Sequence, residues 1–432
     1  MSKYTCEKCG KNFKQKSHYT SHLNRKNPCI NESKITELIN KAVETKLNNI
    51  NKNNIINIID DIKDENIILT ENDSSDVSIS DDEEYIFYPS KNISNKENKK
   101  LCTDIGKFNF IEVCAGGGGL SSGLIKAGMT PLLLNDNNAD CCKTLKKNHP
   151  DAIVLHESMN KIDFNQYIGK VDLLTGGVPC QSFSQAGLRN GLDDPRGDLM
   201  LKFIDILNLI KPKMFMIENV KGLITHNNGE TIKTIIETIN QNNLYNITYK
   251  CLDASKYDVP QKRERVFIVG VLKTSKLDFK FPEESSKRIV LKDVLKDVPS
   301  SGCAKYSQEK INLFKQIPQG GCWVDLPENL QKEYLGNSYY SGGGKRGILH
   351  RLSMEKPSLT LLCSPSQKQT ERCHPLEDRP LSVREYARIQ TFEDNYEFVG
   401  SLNSQYKQIG NAVPVELAKK MGISIIETLT QF

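Results

Sequence analysis

Short apolar segments alternate with helical segments from Phe108 onward, and this alternation limits the possible folds more than any other feature of the chain. Strands are expected at residues 110–114, 131–134, 152–155, 171–175, 214–217 and 266–269. Helices are expected at residues 120–127, 139–148, 198–210 and 230–242. This order predicts an α/β fold with a mostly parallel sheet covered on both faces. Ligands of such sheets bind at the carboxyl ends of the strands.

Two regions of different composition precede this globular part. Residues 1–30 are basic and rich in Cys and His, whereas residues 31–106 are rich in Asn, Lys, Ile and Asp. Apolar residues at helical spacing between 35 and 47 predict an amphipathic helix for self-association or docking, with a transient helix as the equal alternative. The acidic stretch at 73–84 predicts a solvated linker.

The N-terminus has no apolar signal-peptide core, and no apolar run is long enough to span a bilayer. We therefore expect an intracellular protein in a reducing compartment, with no membrane partner. Its 13 cysteines should then be thiols, metal ligands or a nucleophile rather than disulfides. The net charge of +5 permits nucleic-acid binding without establishing it.

A glycine loop at residues 115–119 joins the first predicted strand to the first helix. Glycine lets the backbone approach a ligand closely, and the helix start that follows offers free N–H groups. Asp136 ends the second strand, where a carboxylate can bind both hydroxyls of a ribose. The two features together favour a nucleoside cofactor over an ordinary tight turn. Their spacing does not distinguish a dinucleotide from S-adenosylmethionine.

Cys180 follows Pro179 at the end of the fourth strand, in the expected ligand crevice. An attacking thiolate needs a positive or donor-rich setting, and a lone cysteine is more often a small buried hydrophobe. Glu218 ends the fifth strand, and Arg263 and Arg265 alternate before a further strand, so that they share one face. A carboxylate and two guanidiniums near a thiol suit nucleophilic attack on a polar heterocycle.

In this order, the segments resemble the motif series of the cytosine-C5 DNA methyltransferases. The resemblance covers roughly residues 108–432 and rests on segments 114–119, 179–181, 218–220, 261–265, 379–390 and 410–414. It implies a Rossmann-like sheet, S-adenosylmethionine as the methyl donor and duplex DNA as the substrate. It also implies a catalytic domain at 107–291 that is completed by residues 375–432.

The resemblance assigns roles to individual residues. Cys180 attacks C6 of a flipped cytosine, Glu218 holds N3 and the exocyclic amine, and Arg265, with Arg263 beside it, holds the base edge or a phosphate. The cofactor pocket is implied to contain Cys114, Ala115, Gly116, Gly118, Gly119, Leu120, Asp136, Asn137, Pro179, Asn411, Ala412 and Val413.

The chain departs from the family pattern around this pocket. The family usually has Phe at the position of Cys114, where it packs on the adenine, and Glu at the position of Asp136. The family's Asp after the third strand has no clear equivalent. Glu157 or Ser158 is the expected substitute.

Regular alternation fades between residues 292 and 374. The resemblance implies a smaller target-recognition domain there, inserted before the C-terminal segment. Its glycine loops at 319–323 and 342–346, with Lys and Arg nearby and the pair His350 and Arg351, suit phosphates and base edges. A loop-rich structural subdomain is the alternative. The segment is short, so a short target site is expected.

The N-terminal module carries a C-x2-C pair, Cys6 and Cys9, with His22 twelve residues further on. This spacing matches the first three ligands of a zinc finger. Cys29 is the expected fourth ligand and His18 the alternative. The module resembles fingers with two cysteines, a histidine and a cysteine, so Zn²⁺ binding is predicted. A disordered basic tail is the competing interpretation.

Two other functions fit part of this pattern. A tRNA cytosine-C5 methyltransferase shares most of the motifs but typically has Pro-Phe-Thr where this chain has Ser182, Phe183 and Ser184. A catalytically inactive DNA-binding adaptor would keep the fold, but it has no need of Cys180 and Glu218. We expect a monomer, and the sequence leaves open whether the enzyme serves restriction-modification.

Overall fold

A computed structural model of the chain describes residues 4–6, 12–13, 20, 108–179, 198–340, 347–367 and 371–432. Several predicted features lie outside these ranges, namely the helix at 35–47, the linker at 73–84, the loop at 342–346, Cys9, His22, Cys29 and Cys180. The chain divides into two units, Met1–Ser90 and Lys91–Phe432. Each is described by itself.

The first unit contains a two-stranded antiparallel sheet, formed by β1 (Tyr4–Thr5) and β2 (Asn12–Phe13). Tyr4 pairs with Phe13 across it. Cys6 follows β1 directly and is buried.

The second unit carries the strands and helices of the globular part. Its strands are β3 (Asn109–Val113), β4 (Thr130–Asp136), β5 (Val154–His156), β6 (Leu173–Gly176), β7 (Met214–Val220), β8 (Tyr245–Asp253) and β9 (Glu264–Leu272). Its α-helices are α1 (Gly119–Ala127), α2 (Ala139–Asn148), α3 (Asp198–Ile210), α4 (Gly222–Thr225), α5 (Glu230–Ile239), α6 (Leu291–Val294), α7 (Gln308–Phe314), α8 (Glu328–Leu335), α9 (Val383–Ile389), α10 (Leu402–Asn411) and α11 (Val415–Leu429). No helix of the described residues is both long and apolar enough to cross a membrane.

The seven strands form one sheet in the order β5-β4-β3-β6-β7-β9-β8. β5, β4, β3, β6 and β7 are parallel, whereas β9 runs antiparallel to both β7 and β8. The predicted α/β fold with a mostly parallel sheet is confirmed. The sequence pattern does not predict β8, because this edge strand mixes polar with apolar residues and buries few of them.

Alternate residues of the central strands face opposite sides of the sheet. Phe110 and Met216 lie in a core covered by α1 and α11, whereas Ile111 and Ile217 lie in a second core covered by α3 and α5. α1 and α11 meet closely, because a Cβ added at Gly123 would lie 2.3 Å from the Cβ of Ala418. The carboxyl ends of the parallel strands therefore lie between the two helical layers, one formed by α1 and α11 and the other by α3 and α5.

No described residue between 292 and 374 joins the sheet. Short helices surround a small separate cluster of buried side chains there, which contains Tyr306, Leu313, Phe314, Ile317, Leu326, Leu335, Ile348, Leu349 and Cys373. The guanidinium of Arg351 is buried among them and donates to the carbonyl oxygens of Ile317 and Phe314 at 2.8 and 2.6 Å. Arg351 therefore stabilises this cluster instead of lying on a surface.

Candidate active site

The glycine loop leaves the carboxyl end of β3 through a series of left-handed backbone conformations. Cys114, Gly116 and Gly118 have φ angles of +53°, +56° and +82°. A positive φ angle costs little conformational free energy at glycine and more at a residue with a side chain such as Cys114. The Ala115 amide donates to the Asn135 carbonyl oxygen at 2.9 Å, which ties the loop to the end of β4.

Asp136 ends β4 with its carboxylate already oriented. One oxygen accepts from the Gly116 amide and the other from the Asn138 amide, both at 2.8 Å. Burial raises the pKa of this carboxyl above its ordinary value, and the two amides oppose that rise. Asn137 beside it is exposed. Asp136, the residue predicted to bind the ribose, is thus in direct contact with the predicted glycine loop.

Cys114 lies under the same loop, and burial raises the pKa of its thiol to about 12. It is therefore a neutral packing residue at physiological pH. The predicted pocket residue Leu120 is buried in the core under α1. Its side chain supports the loop from below.

The C-terminal segment closes over the glycine loop. A Cβ added at Gly119 would lie 2.3 Å from the Val413 carbonyl oxygen and 2.9 Å from the Cβ of Ala412. Both of these predicted pocket residues are buried, whereas Asn411 is exposed and its side-chain oxygen accepts from the Cys363 thiol at 2.9 Å. The structure therefore brings the two ends of the predicted cofactor pocket together.

Glu218 lies at the carboxyl end of β7 and is 8% exposed. Because β9 is antiparallel to β7, Arg265 near its start pairs with Val220, and its side chain shares a face with Glu218. The Arg265 Nε lies 2.9 Å from the Glu218 Oε1. Burial raises the pKa of Glu218, and the charge of Arg265 opposes that rise. The result is an oriented, desolvated carboxyl group.

Arg263 is 1% exposed and reaches in a different direction. Its two terminal nitrogens donate to the carbonyl oxygens of Leu361 and Gly410, at 3.0 and 2.8 Å. These bonds connect the residue before β9 to the segment that contains Leu361 and to the end of α10, which contains Gly410. The predicted contact of Arg263 with base or phosphate stays a prediction.

The segment that leads to Cys180 leaves the sheet beside Glu218. A Cβ added at Gly177 would lie 3.4 Å from the Glu218 Oε2, and the Asn219 side-chain amide donates to the Val178 carbonyl oxygen at 2.9 Å. Pro179 is exposed. Cys180, the next residue, lies outside the described part of the chain. The role of Asn219 is not foreseen from the sequence, although it adjoins Glu218 in the quoted motif.

The two residues considered for the missing third acid lie just after β5. The Glu157 carboxylate accepts from the Ser158 amide at 2.7 Å and lies 3.4 Å from the Lys161 ammonium. The Ser158 amide is the main cause of the lowered pKa of Glu157. Their part in adenine recognition stays a prediction.

Other residues of the segments at 261–265 and 379–390 form hydrogen bonds that connect the parts of the chain around the site. Gln261 donates to Gln390 at 2.9 Å, and Gln390 donates to the carbonyl oxygen of Ile409 at 2.7 Å. Arg379 forms two 2.8 Å hydrogen bonds with the carboxylate of Glu385. The buried contacts of Gln390 join the segment at 261–265 to the residues at 409–412, and the sequence alone does not indicate these partners.

Of the four predicted zinc ligands, only Cys6 lies among the described residues. No group of three or more potential metal ligands occurs within the ranges that the structure describes. The predicted zinc-finger module is not supported by this part of the chain.

Comparisons with known proteins agree with this geometry. The family model for the C-5 cytosine-specific DNA methylase matches residues 108–427. The chain is 44% identical to the type II methyltransferase M.Eco47II of Escherichia coli over 81% of its length and 88% of the relative. It is 44% identical to M.Sau96I of Staphylococcus aureus over 88% of its length and 89% of the relative. Among solved structures, the Entamoeba histolytica methyltransferase EhMeth superposes with a TM-score of 0.55 at 18% identity, over 74% of this chain and 98% of that one.

Proposed function

Because the chain belongs to the C-5 cytosine-specific DNA methylase family and is a DNA (cytosine-5-)-methyltransferase, we propose that Cys180 is its nucleophile and that Glu218 and Arg265 hold the cytosine. The ion pair of Glu218 and Arg265 carries this proposal. It lies at the carboxyl edge of the sheet, beside the segment that ends at Pro179. Cys180 is bonded to that segment.

S-adenosylmethionine supplies an electrophilic methyl group when it is bound. The residues that fit its adenosine part are Asp136, whose oriented carboxylate suits ribose hydroxyls, and the free amides where α1 begins. Ala412 and Val413 close the pocket from the C-terminal side, and the exposed Asn411 precedes them. Burial of the pocket by this segment excludes water from the methyl group.

The target cytosine has to leave the duplex, because its ring edge is not accessible when it is stacked. The Cys180 thiolate forms a bond to C6, and the electrons of the C5–C6 double bond move toward C5 and N3. Glu218, held by Arg265, accepts from the exocyclic amine, and the proton on its carboxyl, whose pKa burial raises, stabilises the charge that develops at N3. With the methyl donor bound, C5 would take its methyl group and S-adenosylhomocysteine would be the leaving product. The C5 proton would then pass to water, and the reformed double bond would expel the Cys180 thiolate. Arg263 acts as a positioning residue, because its donors bind the backbone.

One assay tests this proposal. The protein is incubated with S-adenosylmethionine tritiated in the methyl group and with duplex DNA, RNA or neither, beside a Cys180→Ser variant. We expect label in DNA alone and none with the variant, which should still bind S-adenosylhomocysteine. Retained activity of Cys180→Ser would overturn the covalent assignment. Label in RNA would favour the tRNA alternative, and no label in either with intact DNA binding would favour the adaptor.

The domain organisation is part of the proposal. Residues 292–374 are assigned to target recognition, between catalytic parts at 107–291 and 375–432. The separate cluster around Phe314 supports an independent small core there. Tyr340 is 78% exposed at its surface, and an exposed aromatic ring suits contact with nucleic acid. Because the relatives are named type II methyltransferases, a role in restriction-modification is also proposed.

Zn²⁺ binding by Cys6, Cys9, His22 and Cys29 is a further part of the proposal. The proposal rests on the spacing of the C-x2-C pair, which lies in sequence between the paired strands β1 and β2 as in a zinc-finger hairpin. A module of residues 1–30 is too small to fold readily without a metal. Zinc analysis of the purified full chain and of Cys6→Ser tests it. A chain that carries no zinc, and is unchanged by Cys6→Ser, would contradict the idea.

A further inference from the structure

We propose that Tyr396 is a positioning residue for S-adenosylmethionine, whose hydroxyl fixes one peptide unit of the glycine loop in the orientation that receives the cofactor. The inference rests on the cofactor site proposed above. It adds a residue that belongs to none of the recognised motifs and contacts the loop from beneath.

The contact joins residues far apart in the chain. The Tyr396 hydroxyl donates to the Gly117 carbonyl oxygen at 2.9 Å. The amide of the same peptide unit, at Gly118, donates to the Ala115 carbonyl oxygen at 3.0 Å. Both polar groups of the Gly117–Gly118 peptide are therefore bound, and rotation of this peptide would break both bonds.

Such a restraint matters because the loop has little rigidity of its own. Glycine crosses between left- and right-handed conformations at low cost, so an unrestrained loop would sample several peptide orientations. Ordering it would then oppose cofactor binding. A hydroxyl that selects one orientation beforehand removes part of that cost.

The space beneath the loop is shaped for this hydroxyl. A Cβ added at Gly118 would lie 2.2 Å from the Tyr396 oxygen. The absence of a side chain at Gly118 and the presence of a tyrosine at 396 thus depend on each other. Gly118 is required here by this close approach as well as by its backbone angle.

Tyr396 is itself held in place. Its ring lies 4.8 Å from that of Phe392 and 5.2 Å from that of Phe398. Its carbonyl oxygen accepts from the Arg384 guanidinium at 2.8 Å. Burial raises the pKa of its phenol far above the physiological range, so the hydroxyl remains a donor. The group that restrains the loop is therefore rigid and keeps its proton.

The test compares two buried tyrosines that each donate one hydrogen bond to a backbone carbonyl. Tyr396→Phe removes the bond to Gly117 and, with the same oxygen, the contact with the Ser122 side chain. Tyr245→Phe removes a bond of equal length, 2.9 Å, to the Pro212 carbonyl oxygen, where β8 begins at one edge of the sheet. Both variants should lose a similar amount of thermal stability. Dissociation constants for S-adenosylhomocysteine are measured by calorimetry, and KM and kcat by methyl transfer to DNA.

We expect Tyr396→Phe to raise the dissociation constant and the KM for S-adenosylmethionine about two- to tenfold, with kcat at saturation nearly unchanged. Tyr245→Phe should change neither. Equal effects of the two variants, or no effect of Tyr396→Phe, would overturn the inference. If the wild-type chain binds no S-adenosylhomocysteine, the cofactor assignment itself fails, which is a distinct result.

A second measurement needs no variant. In the wild-type chain without cofactor, the Gly118 amide should exchange its hydrogen slowly, because it is bound within a locked peptide. Rapid exchange that slows only when S-adenosylhomocysteine is added would mean that the cofactor orders the loop. That outcome would overturn the role of Tyr396 even if Tyr396→Phe did not fold.

Discussion

The Nε of Arg265 lies 2.9 Å from the Oε1 of Glu218, and both side chains are almost shielded from water. The pair forms across the boundary between β7 and β9, where the sheet changes from parallel to antiparallel pairing. A carboxylate that must bind a neutral heterocycle is thereby kept in one rotamer.

Glu218→Gln tests the charge of this pair separately from its shape. The amide keeps the size of the side chain and one acceptor, but it loses the ionisable carboxyl paired with Arg265. We expect kcat to fall by about 10²–10³-fold, with little change in the affinity for S-adenosylhomocysteine. Pre-steady-state methyl transfer measures the first quantity and calorimetry the second. A parallel loss of cofactor affinity would show that Glu218 shapes the whole pocket.

Arg263→Met should act on stability. The substitution keeps much of the buried volume but leaves the carbonyl oxygens of Leu361 and Gly410 without a donor. We expect a loss of about 2–4 kcal/mol in the free energy of unfolding, measured by urea denaturation. Arg288→Ala, at an exposed position, is the control and should change little. A fully stable Arg263→Met variant that lost only activity would instead support the contact with base or phosphate.

Glu112 should make stability depend on pH. Burial raises the pKa of its carboxyl from 4.5 to about 8 in the folded chain, although Ser121 opposes the rise. Folding then takes up a proton, so this contribution is fully present below pH 4.5, is lost as pH rises to about 8, and is constant above.

Glu112→Gln removes this titration. The stability of the wild type relative to the variant should fall by up to about 1.4 kcal/mol per pH unit between pH 5 and 8. Thermal unfolding of both proteins across that range measures it. If the stabilities of the wild type and of Glu112→Gln changed equally with pH, the assignment of Glu112 as a buried neutral acid would be contradicted.

Gly119→Ala should separate the two ends of the cofactor pocket. The new Cβ would meet the Val413 carbonyl oxygen at 2.3 Å, and neither backbone can yield cheaply. We expect a loss of about 1–3 kcal/mol in stability and weaker binding of S-adenosylhomocysteine. Gly222→Ala is the matched control, because its Cβ would find its nearest neighbour only at 4.0 Å. Similar behaviour of the two variants would argue against closure of the loop by Val413.

The alternation of strands and helices predicts most of the sheet, because central strands are buried on both faces and read as apolar runs. Both bounds of α2 and the end of α3 are predicted to the residue. β8 is not predicted, because this edge strand contains no continuous run of apolar residues. The antiparallel direction of β9 is not predicted either, although it explains why Arg265, which begins a strand, meets Glu218, which ends one.

Asp136 and Glu218 could be located from the sequence because each sits at the end of an apolar strand. The partners of Gln390 and the direction of Arg263 could not, since they depend on contacts between segments about 20 to 150 residues apart. Tyr396 illustrates the same limit. Its hydroxyl meets a glycine 279 positions earlier, and nothing near it in sequence marks the contact.

The packing of α11 against α1 has a consequence for how the chain is made. α1 is among the first elements of the globular part to emerge during synthesis and α11 is the last, yet each buries the apolar face of the other. The first core can therefore close only after translation has passed residue 425. Before that point, a nascent chain exposes Leu120 and Leu124 and leaves the glycine loop uncovered. A polypeptide truncated before α11 should depend on chaperones and transfer no methyl group, so that methylation requires α11 to be in place.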